Sequence, residues 1–469
     1  MICLEAHQEI VKYIDLLNQQ LRDSNHKSMS KIQSRWMAFC MTAMLVTNSF
    51  CWAIIERASA GEYRARTLGL MLKKAKIQWD KIFYASCQVV IKLYGIKEGV
   101  LVIDDTERKR SKSTTKIWGV HKIKDKKSGG FIQGQEVVFL VLVTRTITLP
   151  VGFAFYLPNP SWQLWKAKDK ELKEQCVKKA DRPRKPPYSK KYPSKHALAI
   201  SLLHKLRFHM GDLLRINAVL ADAAYMAPYF LRETSKVFPD AQFISQIRSN
   251  QKVKAGSKPE LSVDDYFKGV SGRQVELRPR GQEPILATMA AARLHVASLG
   301  RKMLVVALKY QGEDEYRYLA ARDLTWRATD VAAQYTWRWL IEVFNQDWKV
   351  YEGWGRVALQ QGEDGARKGV FLSVLLDHSL LTHSEQLRLG RQAQPLWTVG
   401  SLSRRIQLDS IISSITSIVE GESPKEKLRE FVTNLETLYE LRPSTKHLSG
   451  KDIPLPESRR SPVRHAKTG

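Results

Sequence analysis

Taken as a helix, Tyr335-Thr-Trp-Arg338-Trp-Leu-Ile-Glu342-Val-Phe-Asn-Gln-Asp-Trp-Lys349 gathers one carboxylate, two cations and a phenol on a single face. At about 100° per residue, Tyr335, Arg338, Glu342 and Lys349 fall within roughly 60° of one another. Trp337, Leu340, Ile341, Phe344, Trp348 and Tyr351 collect on the opposite face, so the helix is amphipathic with a wide aromatic base. A carboxylate can hold a hard divalent cation, and Arg and Lys beside it suit phosphate. Together they suit the cutting or joining of a nucleic-acid backbone. Arg four residues before Glu is also the spacing of a plain surface ion pair.

Two further carboxylates are placed for the same chemistry. Val100-Leu-Val-Ile103 is a continuous apolar run, the mark of a strand buried on both faces, and it ends in Asp104-Asp105-Thr106. Ala218-Val-Leu-Ala221 is a second such run and ends in Asp222. Open α/β sheets place their sites at such strand ends. A strand-end Asp is equally a turn or cap residue, so neither position alone decides the matter.

The spacing Tyr-x2-Arg-x3-Glu-x6-Lys resembles the signature of the IS-four family of bacterial insertion-sequence transposases, and all four positions match. Leu220-Ala-Asp222-Ala-Ala-Tyr225 resembles that family's second-aspartate motif. Asp104-Asp-Thr106 resembles its first, with Asp105 in place of the usual Gly. Asp104 is the expected ligand of the pair because it ends the apolar run directly. The resemblance implies a DDE enzyme with an RNase H-like core. Its catalytic and metal-holding carboxylates would be Asp104, Asp222 and Glu342. Arg338, Lys349 and Tyr335 would contact DNA phosphates. Two Mg²⁺ ions, with Mn²⁺ as a possible substitute, would act on the scissile phosphate. The implied activity is cleavage at the inverted-repeat ends of an insertion sequence and strand transfer into target DNA, by a homodimer in the DNA complex. The alternatives are a domesticated DNA-binding protein without catalysis and a metal-dependent nuclease of the same fold.

The elements that must bring these residues together follow from the chain in order. Residues 1–97 read as a helical region with basic edges, which either grips DNA ends or caps the next domain. Residues 98–247 read as the first part of an α/β, RNase H-like core: three strands, then helix, strand, helix, strand. Within it, 178–195 is a Lys-, Arg- and Pro-rich loop, expected to be exposed and partly disordered and to contact a DNA backbone or serve as a linker. Residues 248–325 read as a β-rich insertion. There Trp326, Tyr310, Tyr316 and Tyr318 either pack or stack on bases. The signature helix opens the second part of the core, 326–382, and is expected to end before a capping Gly353. A helical C-terminal region with a basic tail occupies 383–469.

Bulk properties agree with a polyanionic partner. The 469 residues carry 75 Lys and Arg against 47 Asp and Glu, a net charge of +28, which implies a polyanionic partner, usually nucleic acid, with an anionic membrane surface as the runner-up; the resemblance implies double-stranded DNA. Cys3, Cys40, Cys51, Cys87 and Cys176 form no CxxC pair, which argues against structural zinc and for a reduced cytosolic protein; the resemblance implies the bacterial cytosol, in association with the nucleoid. The run 37–55 is long and apolar, but its Thr, Asn and Ser residues favour a buried core helix over a membrane span.

Overall fold

The computed structural model describes residues 5–59, 62–110, 117–125, 129–352 and 362–438. Gly353, residues 111–116 and the C-terminal tail from 439 lie outside them.

Five helices precede the sheet: α1 (Gln8–Asp23), α2 (Lys31–Thr47), α3 (Trp52–Ala58), α4 (Ala65–Lys74) and α5 (Trp79–Leu93). α1 is amphipathic and buries Ile10, Tyr13, Ile14, Leu17 and Leu21. α2 starts at a capping box in which Ser30 and Gln33 satisfy each other's backbone N–H. Every residue of α2 from Trp36 to Val46 is buried. The run 37–55 is therefore two helices, not one: Asn48 adopts the left-handed conformation at φ 46° and stops α2. Among the described residues no single helix is long and apolar enough to cross a membrane. α2 and α3 reach that length only together, bent by 90°.

Among the described residues the sheet has twelve strands. They are β1 (Glu98–Lys109), β2 (His121–Lys124), β3 (Phe131–Val143), β4 (Thr148–Tyr156), β5 (Arg215–Ala221) and β6 (Gln242–Ile247), followed by β7 (Lys252–Lys254), β8 (Leu261–Ser262), β9 (Arg273–Leu277), β10 (Ile285–Val296), β11 (Arg301–Tyr310) and β12 (Arg317–Ala321). Their order is β2-β3-β1-β5-β6-β12-β11-β10-β7-β8, with β4 on β3 and β9 on β10. β1 is antiparallel to β3 and parallel to β5, and β5 is parallel to β6. The central strands are buried on both faces, as their apolar runs require. Pro150 sits inside β4, where the register with β3 shifts, and a bulge of this kind tolerates the missing N–H.

Helices cover both faces. α6 (Pro160–Glu174) and α7 (Lys195–Met210) lie between β4 and β5, α8 (Pro228–Val237) lies between β5 and β6, and the short α9 (Val263–Lys268) follows β8. α10 (Ala328–Thr336) and α11 (Trp339–Val350) carry the signature. Phe139 of β3 packs edge-on against Phe344 and Trp348 of α11, with ring centroids 5.2 and 4.8 Å apart. The helix Gly362–Leu381 buries nearly its whole second half. The short helix Ser384–Arg391 and two longer ones, Val399–Val419 and Pro424–Leu438, end the described chain. Residues 248–325 extend the core sheet instead of standing apart from it, because β12 pairs antiparallel with β6 from Tyr318↔Ile247 to Ala321↔Ile244.

Candidate active site

The parallel pairing of β1 and β5 brings two aspartates together. Its last partners are Ile103 and Ala221, so Asp104 and Asp222 emerge side by side where the ladder ends. Asp104 is not the end of its own strand. β1 continues to Lys109 as a ribbon with β3, and Asp104 is opposite Phe139. Partners in such a pair share a face, which turns Asp104 toward α11. Asp105, one residue on, points to the other face.

Asp104 is largely buried. Its Oδ1 accepts the Asp105 backbone N–H (2.8 Å), and its Oδ2 accepts from Arg338 Nη1 (3.2 Å). Burial pushes its pKa up to about 6; Arg338 and the Asp105 N–H oppose this, while the neighbouring Asp105 and Asp222 charges add to it. Asp222 caps the short turn Ala223–Tyr225 by accepting the Ala224 N–H (2.7 Å), and its carbonyl accepts from Ser245 Oγ (2.7 Å).

The signature stretch is helical but interrupted. Around Trp337 the bonds shorten to i→i−3: Trp337 to Gln334, Arg338 to Tyr335, and Leu340 to Trp337. The tight turn leaves Arg338 at the start of α11 and Glu342 in its first turn, where the positive end of the helix dipole favours a carboxylate. The Arg338 guanidinium bridges Asp104 and Glu342. Burial disfavours its charge, but Tyr335, Asp104 and Glu342 outweigh that and hold its pKa above the ordinary value. The Tyr335 hydroxyl is buried without a hydrogen-bond partner among the described residues, and burial raises its pKa to about 12, with Arg338 opposing and Asp222 and Asp104 adding. Lys349 is half-buried three turns from Arg338. Burial lowers its pKa, Glu107 and Asp104 oppose the shift, and Arg108 adds to it.

Thus Asp104, Asp222, Glu342, Tyr335, Arg338 and Lys349 surround one region of the sheet's C-terminal edge. Among the described residues, no three His, Cys, Asp or Glu side chains meet closely enough to hold a metal ion together. Asp104 and Glu342 share a guanidinium instead. The donor set is nonetheless that of a hard divalent ion: carboxylate oxygens only, with a cation already standing between two of them.

Over residues 27–310 the chain matches the family described as DDE superfamily endonuclease, well over half its length. The chain belongs to this family. The matched region of this endonuclease-family chain includes Asp104 and Asp222 and ends before Glu342. Among solved structures the chain is similar to the piggyBac transposase synaptic complex with hairpin DNA, determined by cryo-EM. The TM-score is 0.42 and the sequence identity 11%, over 96% of this chain and 86% of that one. No curated relative matches the sequence.

Sequence reasoning misses a second polar cluster on the far side of β1. Lys195 Nζ donates to Asp105 Oδ2 (2.6 Å) and Glu136 Oε1 (2.7 Å), and His121 Nε2 lies 2.9 Å from Glu136 Oε2. In sequence Lys195 reads as the last residue of a basic loop, yet it opens α7. The doubled Asp104-Asp105 is the only hint, since a strand sends neighbours to opposite faces. The loop itself is tied down: Trp165 Nε1 of α6 donates to the Pro183 carbonyl (2.7 Å), and Arg182 pairs with Asp169 (3.2 Å). α6 is also unanticipated, although Asn159 caps it and Pro160 fills its first position. In the insertion, Tyr318 is buried and donates to Asp264 (2.8 Å), and Tyr316 stacks beside it.

Proposed function

We propose that this endonuclease-family chain is a DNA transposase of the IS-four type with an RNase H-like core. It would cleave the ends of an insertion sequence and transfer them to a target. The observation that carries the reading is the meeting of Asp104 and Asp222 at the end of one parallel ladder, with Arg338 joining Asp104 to Glu342. The strand order supports the core: β4, β3, β1, β5 and β6 are third, second, first, fourth and fifth of its five strands, antiparallel among the first three and parallel thereafter.

Asp104, Asp222 and Glu342 would hold two Mg²⁺ ions, with Mn²⁺ as a substitute; bound there, they supply activation of the attacking hydroxyl and stabilisation of the leaving oxygen. Arg338 is placed to leave its carboxylates for a phosphate, which its planar fork can grip with two bonds. Lys349, only half exposed, adds a point charge beside the strand. The Tyr335 hydroxyl, lacking a partner among the described residues, can donate to a phosphate oxygen. The net charge of +28 supports double-stranded DNA as partner, and a homodimer is the expected form of the DNA complex.

Glu342→Gln tests the reading. It preserves shape and removes one negative charge. Duplex carrying the gene's flanking inverted repeats should bind as well as before or slightly better, while strand cleavage in Mg²⁺ falls by several orders of magnitude. Normal cleavage by this variant would sink the mechanism. Cleavage without joining by the unaltered protein would leave a nuclease.

A further inference from the structure

We infer that Lys195 is a positioning residue for the catalytic pair of aspartates, acting from the opposite face of the sheet; the inference rests on the transposase reading above. Lys195 occupies the first position of α7, after the Ser194 cap. A cation there opposes the helix dipole, so local preference does not account for it. Two carboxylates do. Asp105 and Glu136 each accept from its ammonium, and the Lys195 side chain is only 30% exposed. Burial disfavours the charge, but these two partners outweigh it. The ammonium also lies 5.2 Å from the centre of the Tyr156 ring.

The consequence falls on Asp104. Neighbouring residues of a strand point to opposite faces, so holding Asp105 down against α7 holds Asp104 up toward α11. Glu136 is on β3, two residues from Val138, the partner of Asp105. The ammonium therefore clamps the two strands at the level of the site. The same helix start reaches the second aspartate. His196 Nε2 donates to the Ala224 carbonyl (2.8 Å), inside the turn that Asp222 caps, and its ring packs on Tyr225 (centroids 5.4 Å apart). One turn of α7 thus braces both strands where the aspartates emerge, at the end of the β1–β5 ladder. Supporting interactions of this kind are commonly worth about 10–100-fold in metal affinity or activity.

The test uses full-length Lys195→Met, Lys195→Arg and Glu136→Gln, with Mn²⁺ binding followed by calorimetry and cleavage of the inverted-repeat duplex followed across Mg²⁺ concentration. Lys195→Met should weaken Mn²⁺ binding about tenfold or more and raise the Mg²⁺ needed for half-maximal cleavage correspondingly. DNA affinity should fall by no more than the removal of a single phosphate-binding cation would cause, and excess Mg²⁺ should restore much of the rate. Lys195→Arg, which keeps both ion pairs, should remain within about threefold of the parent in Mn²⁺ affinity. Glu136→Gln keeps the Asp105 ion pair and should fall between the two, which also serves if Lys195→Met does not fold. Unchanged Mn²⁺ affinity in folded Lys195→Met or Glu136→Gln would overturn the inference. So would a defect confined to DNA affinity, which would make Lys195 a phosphate-binding residue only. Asp104→Asn run alongside separates the two readings: if it too binds Mn²⁺ and cleaves normally, the site assignment has failed rather than the role of Lys195.

Discussion

Replacing Arg338 with Met should expose how much the carboxylates depend on a counter-charge. The guanidinium is the partner of both Asp104 and Glu342, and it is 21% exposed against 17% and 37% for the two acids. Breaking a buried pair by removing one member costs about 3–5 kcal/mol, whereas an exposed pair is worth about 0–1. Asp104 belongs nearer the first limit and Glu342 nearer the second, which gives a loss of about 2 kcal/mol for the substitution. Asp104 would then titrate higher still, because the opposing effect of Arg338 on its burial-raised pKa is gone. In thermal unfolding at neutral pH without divalent ions, the variant should melt a few degrees below the parent. Mn²⁺ should reverse the order of effects. A divalent ion no longer competes with the guanidinium for Asp104 and Glu342, and binding at about a hundred times its Kd stabilises by about 2.7 kcal/mol. The Mn²⁺-induced rise in Tm should therefore be larger in the variant than in the parent and bring the two close together. Equal melting without metal, together with equal Mn²⁺ increments, would refute the idea that Arg338 stands in the cation's place.

Asp104→Asn should abolish cleavage, whereas Asp105→Asn, which leaves Lys195 its bond to Glu136, should cost about tenfold; single-turnover cleavage of the same duplex compares them, and the reverse ranking would shift the ligand by one residue. Neutralising the exposed Lys178, Lys179, Arg184 and Lys190 together should weaken DNA binding and flatten the dependence of log K on log salt by about 0.9 for each phosphate no longer neutralised; an unchanged slope makes the loop a linker. Asp377 and Glu352 are buried near the end of α11, and burial chiefly raises both pKa values, that of Asp377 to about 7; Asp377 adds to the rise at Glu352, whereas Glu352 opposes the rise at Asp377 and Asp347 adds to it. The folded state thus keeps a proton that the unfolded chain has released, so this pair costs stability progressively as pH rises from about 4 to 7. Asp377→Asn should flatten that fall in Tm and melt higher than the parent at pH 8; a lower Tm at pH 8 would contradict it.

The parts of the fold legible in the sequence are those whose signal is local. The parallel strands are buried on both faces and read as apolar runs, which locates Asp104 and Asp222. The amphipathic period from Tyr335 to Lys349 locates Glu342. Long-range pairing decides the rest. Asp104 to Lys109 is polar and looks like a loop, yet β3 holds it in a ribbon through ten paired positions from Val100 to Lys109. Lys195 follows a Lys- and Pro-rich run, and its partners are 90 and 59 residues away, beyond any periodicity. The turn at Trp337 carries no Gly or Pro to announce it. α6 leaves none of its residues buried, so it has no apolar stripe to display.

The pairing of β12 with β6 makes the strands after residue 248 poor candidates for excision or grafting. In a free-standing module, cutting 248–325 and splicing β6 to α10 would leave the host intact. Here it would strip Ile244 to Ile247 of their neighbour and present a row of unpaired backbone groups along an apolar strand. A shortened protein of this kind would associate edge to edge before its chemistry could be assayed. Length can change at 312–316, between β11 and β12, without touching the ladder, whereas the turn at 278–284 is anchored by Arg280, which donates to the Thr144 and Ile147 carbonyls. The segment that looks most dispensable in the chain is the one that keeps the catalytic sheet from becoming sticky.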